Sequence, residues 1–385
     1  MPSRFNSLYG DSKMKCTVLI PTYNRPAYLK RILSYYHQYG KNLPVLIADS
    51  SLDENKWLNR ETVSSFHDAS FSYLDKYEPS TNAYHKMLDA LEQVSTEYCV
   101  LCADDDFVTP SGITAAVAFL DINPDFSIAH GHYLGFRLDI GSGSDPEFRW
   151  LMQYRYQSIT HTEPKDRLSH YLSNCFVPTM YAVCRTNFKK MIFAEVIRST
   201  SDYEFSELLH ELLVFIYGKM KYLDILYAAR DNTSGHTVTN SMLDFVKGSS
   251  YEKKYLIFSG TLANHLSKQS GIVIPESQKI VDAAISVYFD KYVWRKNTST
   301  HNIITVGSII VKIAQKVDQL NLPQWLYSGL RRLYRSYRYL FQSPVENAYD
   351  SFVYSFDAPS SKYYHDFNQI RFHVLSFARE KQLIE

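Results

Sequence analysis

Three consecutive acids, Asp104-Asp105-Asp106, follow closely on the apolar run Tyr98-Cys99-Val100-Leu101. Adjacent carboxylates repel one another, so a triplet at the end of a buried strand is stable chiefly where a divalent cation or a cationic ligand rests on it. The triplet is a candidate metal site, and its plain alternative is a solvated surface turn. Other polar clusters also follow apolar runs. Pro21-Thr22-Tyr23-Asn24-Arg25-Pro26 succeeds Cys16-Thr17-Val18-Leu19-Ile20, and Asp49-Ser50-Ser51 succeeds Leu43-Pro44-Val45-Leu46-Ile47-Ala48. Further along, Ser201-Asp202-Tyr203-Glu204 opens a strongly apolar helix that stops near Gly218. A serine or aspartate there caps the helix, with acids favoured in its first turn by the dipole.

These groups can cooperate only if the fold gathers them. The β-branched run before Pro21 reads as a buried strand, and Leu29, Ile32, Leu33 and Tyr36 recur at helical spacing between Arg25 and Gln38. The run ending at Asp49 is a second strand. A polar segment with helical potential (54–67), a strand over 71–77 and an amphipathic helix over 82–94 lead to the strand that delivers the triplet. Such alternation builds a mostly parallel sheet whose loops collect at the carboxyl ends of the strands, where ligands bind. The loop at Pro21 to Asn24, the loop at Asp49-Ser50 and the triplet then share one rim.

In this order the residues resemble the family 2 glycosyltransferases with the GT-A fold, over about residues 14–240. Ile-Pro-Thr-Tyr-Asn-Arg, a strand ending Asp-Ser-Ser, Asn82 before a helix, and Ala-Asp-Asp-Asp with Pro110 beyond carry the resemblance. It implies an α/β, GT-A-like fold with a mostly parallel, Rossmann-type sheet flanked by helices, and a catalytic domain over 14–245 after a leader at 1–13. It implies that Pro21, Thr22, Asn24 and Arg25 contact a nucleotide, with Asp49 and Ser50 at the base and Asn82 nearby. Asp104, Asp105 and Asp106 match the motif that holds Mn or Mg on a diphosphate. Many relatives read Asp-x-Asp-Asp, which puts Ala103 where the first acid belongs and leaves open which acids touch metal. The family's catalytic acid starts a helix, usually in a Glu-Asp pair. That pair is missing, so the resemblance points to Asp202, then to Glu204, as general base. Glu207 and Glu211 are expected on the helix flank. Arg230 and His236 match a loop that closes over the diphosphate, His236 as a metal ligand or a solvated residue. The run 174–184 resembles a strand bordering the acceptor pocket. His130 and His132, alternating along a strand over 126–136, line the acceptor cleft or simply hydrogen-bond within the sheet.

The activity so implied is inverting transfer of a sugar from a nucleotide diphosphate sugar, UDP-linked, to a hydroxyl of a glycan or lipid-linked glycan. A catalytically silent glycan-binding or scaffolding relative is the alternative. A nucleotidyltransferase ranks below both, because Pro-Thr-Tyr-Asn-Arg-Pro stands where a triphosphate-binding enzyme needs a glycine-rich basic loop.

The 385 residues are 45% hydrophobic, enough for one main domain and an extension. A net charge of +1 argues against a general nucleic-acid binder. Cys16, Cys99, Cys102, Cys175 and Cys184 sit mostly in apolar runs, and no second pair completes a zinc site with Cys99 and Cys102. Reduced, buried thiols in a cytoplasmic protein are expected. No signal-like region opens the sequence, and no run approaches the ~20 apolar residues of a membrane span. Residues 246–385 read as a mainly α-helical extension with helices over 251–269, 277–293, 303–320, 326–341 and 363–381. Over 325–341, Leu326, Leu330, Leu333, Tyr337, Leu340 and Phe341 oppose Arg331, Arg332, Arg335 and Arg338. That face packs on the protein's own core or a second subunit of a homo-oligomer, or lies as a peripheral contact on the inner face of the cell membrane.

Overall fold

The computed structural model describes residues 14–139, 145–154, 157–174, 179–200, 202–233, 248–290, 356 and 359–382. Its first half alternates strands and helices: β1 (Cys16–Thr22), α1 (Pro26–Tyr39), β2 (Val45–Asp49), α2 (Asp53–Ser64), β3 (Phe71–Leu74), α3 (Ala83–Glu92) and β4 (Tyr98–Leu101). The pairs β2–β3, β1–β2 and β1–β4 are all parallel. Val18, Leu19, Ile20 and Val100 are wholly buried, because helices cover both faces of a parallel sheet and its strands must be apolar throughout. Pro21 is tolerated in β1 because the pairing with β4 ends at Leu19–Leu101, two residues before it. Pro26 starts α1 at a position where a missing N–H costs nothing. The helix then buries Leu29, Ile32, Leu33 and Tyr36, the stripe expected from the sequence.

The second half folds back on the first. After the triplet, β5 (Phe107–Val108) and α4 (Pro110–Ile122) lead into the long β6 (Phe126–Asp139), which pairs antiparallel with β7 (Glu147–Tyr154). Then come α5 (Pro164–Asn174), β8 (Val183–Arg185), α6 (Thr186–Ser199), α7 (Tyr203–Tyr217) and β9 (Lys219–Asp231). The sheet runs β3-β2-β1-β4-β8-β6-β9-β5. β8 pairs antiparallel with both β4 and β6, while β6 and β9 pair in parallel from Phe126–Lys219 to Phe136–Asp231. A Cβ on Gly131 would stand 2.6 Å from the Ile225 carbonyl oxygen, so this irregular pairing requires glycine there.

Of the run 174–184, expected to be a strand, Asn174 ends α5, residues 179–182 turn and Val183–Arg185 enters the sheet, while 175–178 lie outside the described residues. The carboxylate of Glu211 accepts from the Thr179 backbone N–H. The extension is helical where it is described: α8 (Tyr251–Ser270), α9 (Ile274–Tyr288) and α10 (Tyr364–Gln382). The helices expected over 303–320 and 326–341 lie outside the described residues. Among the described residues no helix is long and apolar enough to cross a membrane. Cys16, Cys99, Cys102 and Cys184 are buried free thiols, as expected.

One buried ion pair joins the halves. Arg31 of α1 donates from Nη1 to Asp231 at the end of β9 at 2.9 Å, and from Nη2 to the Asp105 carbonyl. Its guanidinium lies against Tyr28 and Phe107 and, from α10, Phe377, at 4.8, 5.1 and 5.2 Å from the ring centres. Both side chains of the pair are 1% exposed. Arg31→Met strands a carboxylate indoors and should cost about 3–5 kcal/mol in urea unfolding, and adding Asp231→Asn should recover part of that loss.

Candidate active site

The strand ends meet as the sequence implied. Thr22 lies opposite Asp49 in the β1–β2 register, and β4 ends beside β1 just before the triplet. Asn24 adopts a left-handed φ of 54°, a conformation that asparagine tolerates better than most residues. Its backbone N–H donates to Ser51 Oγ at 2.7 Å, and its Oδ1 accepts from Leu52 N at 2.9 Å. The two loops expected at a nucleotide are therefore braced on each other. Asp49 is fully buried, and its oxygens accept from Ser51 N, Asn59 Nδ2 and Tyr73 Oη at 2.7, 2.7 and 2.6 Å. That carboxylate anchors the loop from within. Asn82 likewise caps α3, accepting from Tyr84 N at 2.9 Å.

Lys86 of α3 was not legible as a site residue. It is 5% exposed, and its Nζ donates to Thr22 O at 3.0 Å and to Ser50 Oγ at 2.8 Å. Burial pulls its pKa down to about 8 against the upward pull of Asp49 and Asp104. A lysine one turn past the cap, on the buried face of an amphipathic helix, was the available signal.

The triplet divides its labour. Asp104 accepts from Thr22 Oγ1 at 2.7 Å, and its other oxygen lies 3.5 Å from Arg25 Nη1, which also pairs closely with Asp105. Asp106 turns the other way, accepting from Asp231 N at 2.8 Å and Tyr181 Oη at 2.7 Å, with Arg230 Nε 3.6 Å off. Burial raises the pKa of Asp104 to about 6; it does the same to Asp106, where the charge of Asp105 adds to it. Among the described residues no three His, Cys, Asp or Glu side chains converge to hold a metal ion. Asp104 and Asp105 nevertheless converge on one cationic group, the Arg25 guanidinium, so this pair fits a divalent ion that takes its remaining oxygens from a ligand. Asp106, with both oxygens engaged by protein donors, fits less well.

Asp202 caps α7, its Oδ1 accepting from Phe205 N at 2.9 Å. Its Oδ2 lies 3.7 Å from Lys254 Nζ. Glu204 occupies the first turn of the same helix, partly exposed. Arg167 anchors the far end of α7, donating to Phe215 O and Ile216 O at 2.7 and 2.9 Å. The expectation that Glu211 sits on the helix flank is a correction. Glu211 is 1% exposed and accepts from Thr179 N at 2.8 Å, while Glu207 keeps partial exposure. Burial raises both to about 7, Glu211 adding to the shift at Glu207 and Arg230 opposing it. The Glu211 carboxyl turns inward on a strongly apolar helix, where Thr179 is its polar host.

His130 and His132 follow the bland alternative. His130 is wholly buried, with burial lowering its pKa to about 4, and His132 bonds to Asp224 at 2.9 Å and to Tyr363 at 3.1 Å. His236 lies outside the described residues.

Residues 17–190 match the family model described as glycosyl transferase family 2. No curated protein matches the sequence. Among solved structures, the chain is similar to S. aureus TarS 1–349 in complex with UDP-GlcNAc, with a TM-score of 0.50 and 14% identity, covering 76% of each chain. TarS 1–349 without that ligand gives a TM-score of 0.47 and 15% identity over 80% of this chain and 83% of TarS. The mannosyltransferase PcManGT from Pyrobaculum calidifontis, in complex with GDP-Man and Mn2+, gives 0.39 and 13% over 88% of each. The first likeness is one of fold, that of the GT-A glycosyltransferases.

Glu211 yields a pH test with a definite sign. Its native pKa of about 7 exceeds the ordinary 4.5, so its stabilising contribution is complete below about pH 4.5 and lost as pH rises through 7. Glu211→Gln cannot ionise. The stability of the variant relative to the parent should therefore climb between pH 5 and 8, by on the order of 2 kcal/mol in urea titrations.

Proposed function

We propose that this chain, in which residues 17–190 match glycosyl transferase family 2, is an inverting transferase using a nucleotide diphosphate sugar, UDP-linked, and a hydroxyl of a glycan or lipid-linked glycan. The observation that carries this reading is the convergence of Asp104 and Asp105 on a single cation at the carboxyl ends of parallel strands. Arg230 links that loop electrostatically to Glu207 of α7.

In this reading Thr22 and Asn24 hold the first loop against the donor, and Arg25 leaves the two acids to meet the diphosphate. Asp104 and Asp105 would hold Mn or Mg, which supplies Lewis-acid stabilisation to the departing diphosphate. Arg230 adds a second positive charge where negative charge grows. With Oδ1 committed to the Phe205 N–H, Asp202 has Oδ2 to receive the acceptor proton as general base; Glu204 is the runner-up. The acceptor oxygen attacks the anomeric carbon as its bond to the phosphate oxygen breaks, and the electron pair of that bond leaves with the diphosphate. One displacement inverts the centre. Residues 14–245 form the catalytic domain in this proposal, and the buried thiols support a cytoplasmic setting.

Calorimetry and thermal shift with UDP, GDP, CDP and dTDP, each with Mn, Mg or chelator, test the reading. UDP with Mn should stabilise the parent by about 2.7 kcal/mol at a hundredfold excess over its dissociation constant. Asp104→Asn and Asp105→Asn should lose the metal-dependent part. Asp106→Asn should keep it while melting lower, since that acid braces Asp231 and Tyr181. If no diphosphate binds, the silent glycan-binding or scaffolding relative is the correct description.

A further inference from the structure

We infer that Lys254, on helix α8 of the extension, is a positioning residue for Asp202. The inference rests on the reading of Asp202 as general base. Lys254 comes from the helical extension, beyond the residues 17–190 that match the family model. Its Nζ stands 3.7 Å from Asp202 Oδ2, and the two side chains are 31% and 9% exposed. The pair is thus shielded enough for its attraction to exceed that of a surface contact.

The ammonium is placed by aromatic packing. The Phe205 ring stacks on Phe258 of α8, with centres 4.3 Å apart and planes at 9°, and it also meets Tyr251 and Tyr255 at 6.0 and 6.4 Å. Tyr251, Lys254, Tyr255 and Phe258 recur at helical spacing, so one face of α8 carries three rings and the charge between them. Tyr255 Oη donates to Asp282 of α9 at 2.7 Å, which fixes that face from behind. Phe205 matters twice, because its backbone N–H also binds Asp202 Oδ1. One residue therefore sets both the capping bond and the docking of the helix that brings Lys254.

The 3.7 Å separation is longer than a hydrogen bond, so the lone pairs of Oδ2 stay available for a proton. The N-cap bond fixes one oxygen of the carboxylate and the ammonium draws the other, so the plane of the base does not turn. A base held in one orientation needs no reorganisation when the acceptor arrives.

The test uses the full chain with UDP-GlcNAc and Mn, water accepting the sugar and UDP release being counted, in the parent, Lys254→Met, Lys254→Arg, Asp202→Asn and the double variant Asp202→Asn/Lys254→Met. Lys254→Met should lower kcat about tenfold with KM and UDP affinity unchanged, and Lys254→Arg should restore most of the loss. The double variant should be no slower than Asp202→Asn alone. Crystals of Lys254→Met should show the Asp202 carboxylate turned from its parental position. Parental kcat in Lys254→Met while Asp202→Asn is inactive, or an unmoved carboxylate in those crystals, would overturn the inference and leave the base reading standing. Parental turnover in Asp202→Asn would overturn the base reading, and the inference with it.

Discussion

The contact between Arg31 and Asp231 fixes where everything else in the site can be. Two charges at 1% exposure persist only when each has an opposite charge beside it, and here the compensation comes from three directions. Asp231 supplies the counter-charge from β9, and its backbone N–H holds Asp106. The Asp105 carbonyl accepts from the guanidinium, and rings from α1, β5 and α10 enclose it. The acidic loop is therefore suspended between both halves of the sheet, and the direction each carboxylate takes follows from that suspension.

Around this point the fold places cations against acids in matched pairs. Arg25 faces Asp104 and Asp105, Arg230 faces Asp106, and Lys86 lies beneath the strand ends within reach of the charges of Asp49 and Asp104. Because Asp104 and Asp106 are poorly solvated, their carboxylates take up a proton more readily than free ones, and a cationic partner offsets that cost. A phosphorylated ligand with its own counter-ion would enter a neighbourhood that already balances charge locally, which favours exchange of partners over creation of new charge.

Much of this arrangement was legible in the sequence where a pattern is local. Apolar runs ending in polar turns gave β1, β2 and β4 and their shared rim, since a buried parallel strand has to be apolar along its length. Asp202 was readable as a cap because capping depends on the next three residues alone. What escaped depends on distant partners. Nothing near Asp49 in the chain reveals that Asn59 and Tyr73 occupy its oxygen, and nothing near Arg31 reveals Asp231. Glu211 reads as a flank residue on a helical wheel until Thr179, far off in sequence, turns out to be its host. Tyr181 was passed over in an apolar run because its hydroxyl has meaning only beside Asp106.

Helix α10 rests on α1, with Phe377 against Tyr28 at 5.6 Å and His373 Nε2 donating to Gln38 Oε1 at 3.0 Å. Residues made late thus cover residues made much earlier. During synthesis the amino-terminal strands can pair, yet the aromatic wall around the Arg31 guanidinium stays open until residue 377 emerges. Sequence-distant closure of this kind raises contact order and slows the final folding step. The site would then mature only after residue 377 has been made, so a nascent fragment ending before it, even one holding every catalytic residue, would still lack a finished acidic loop.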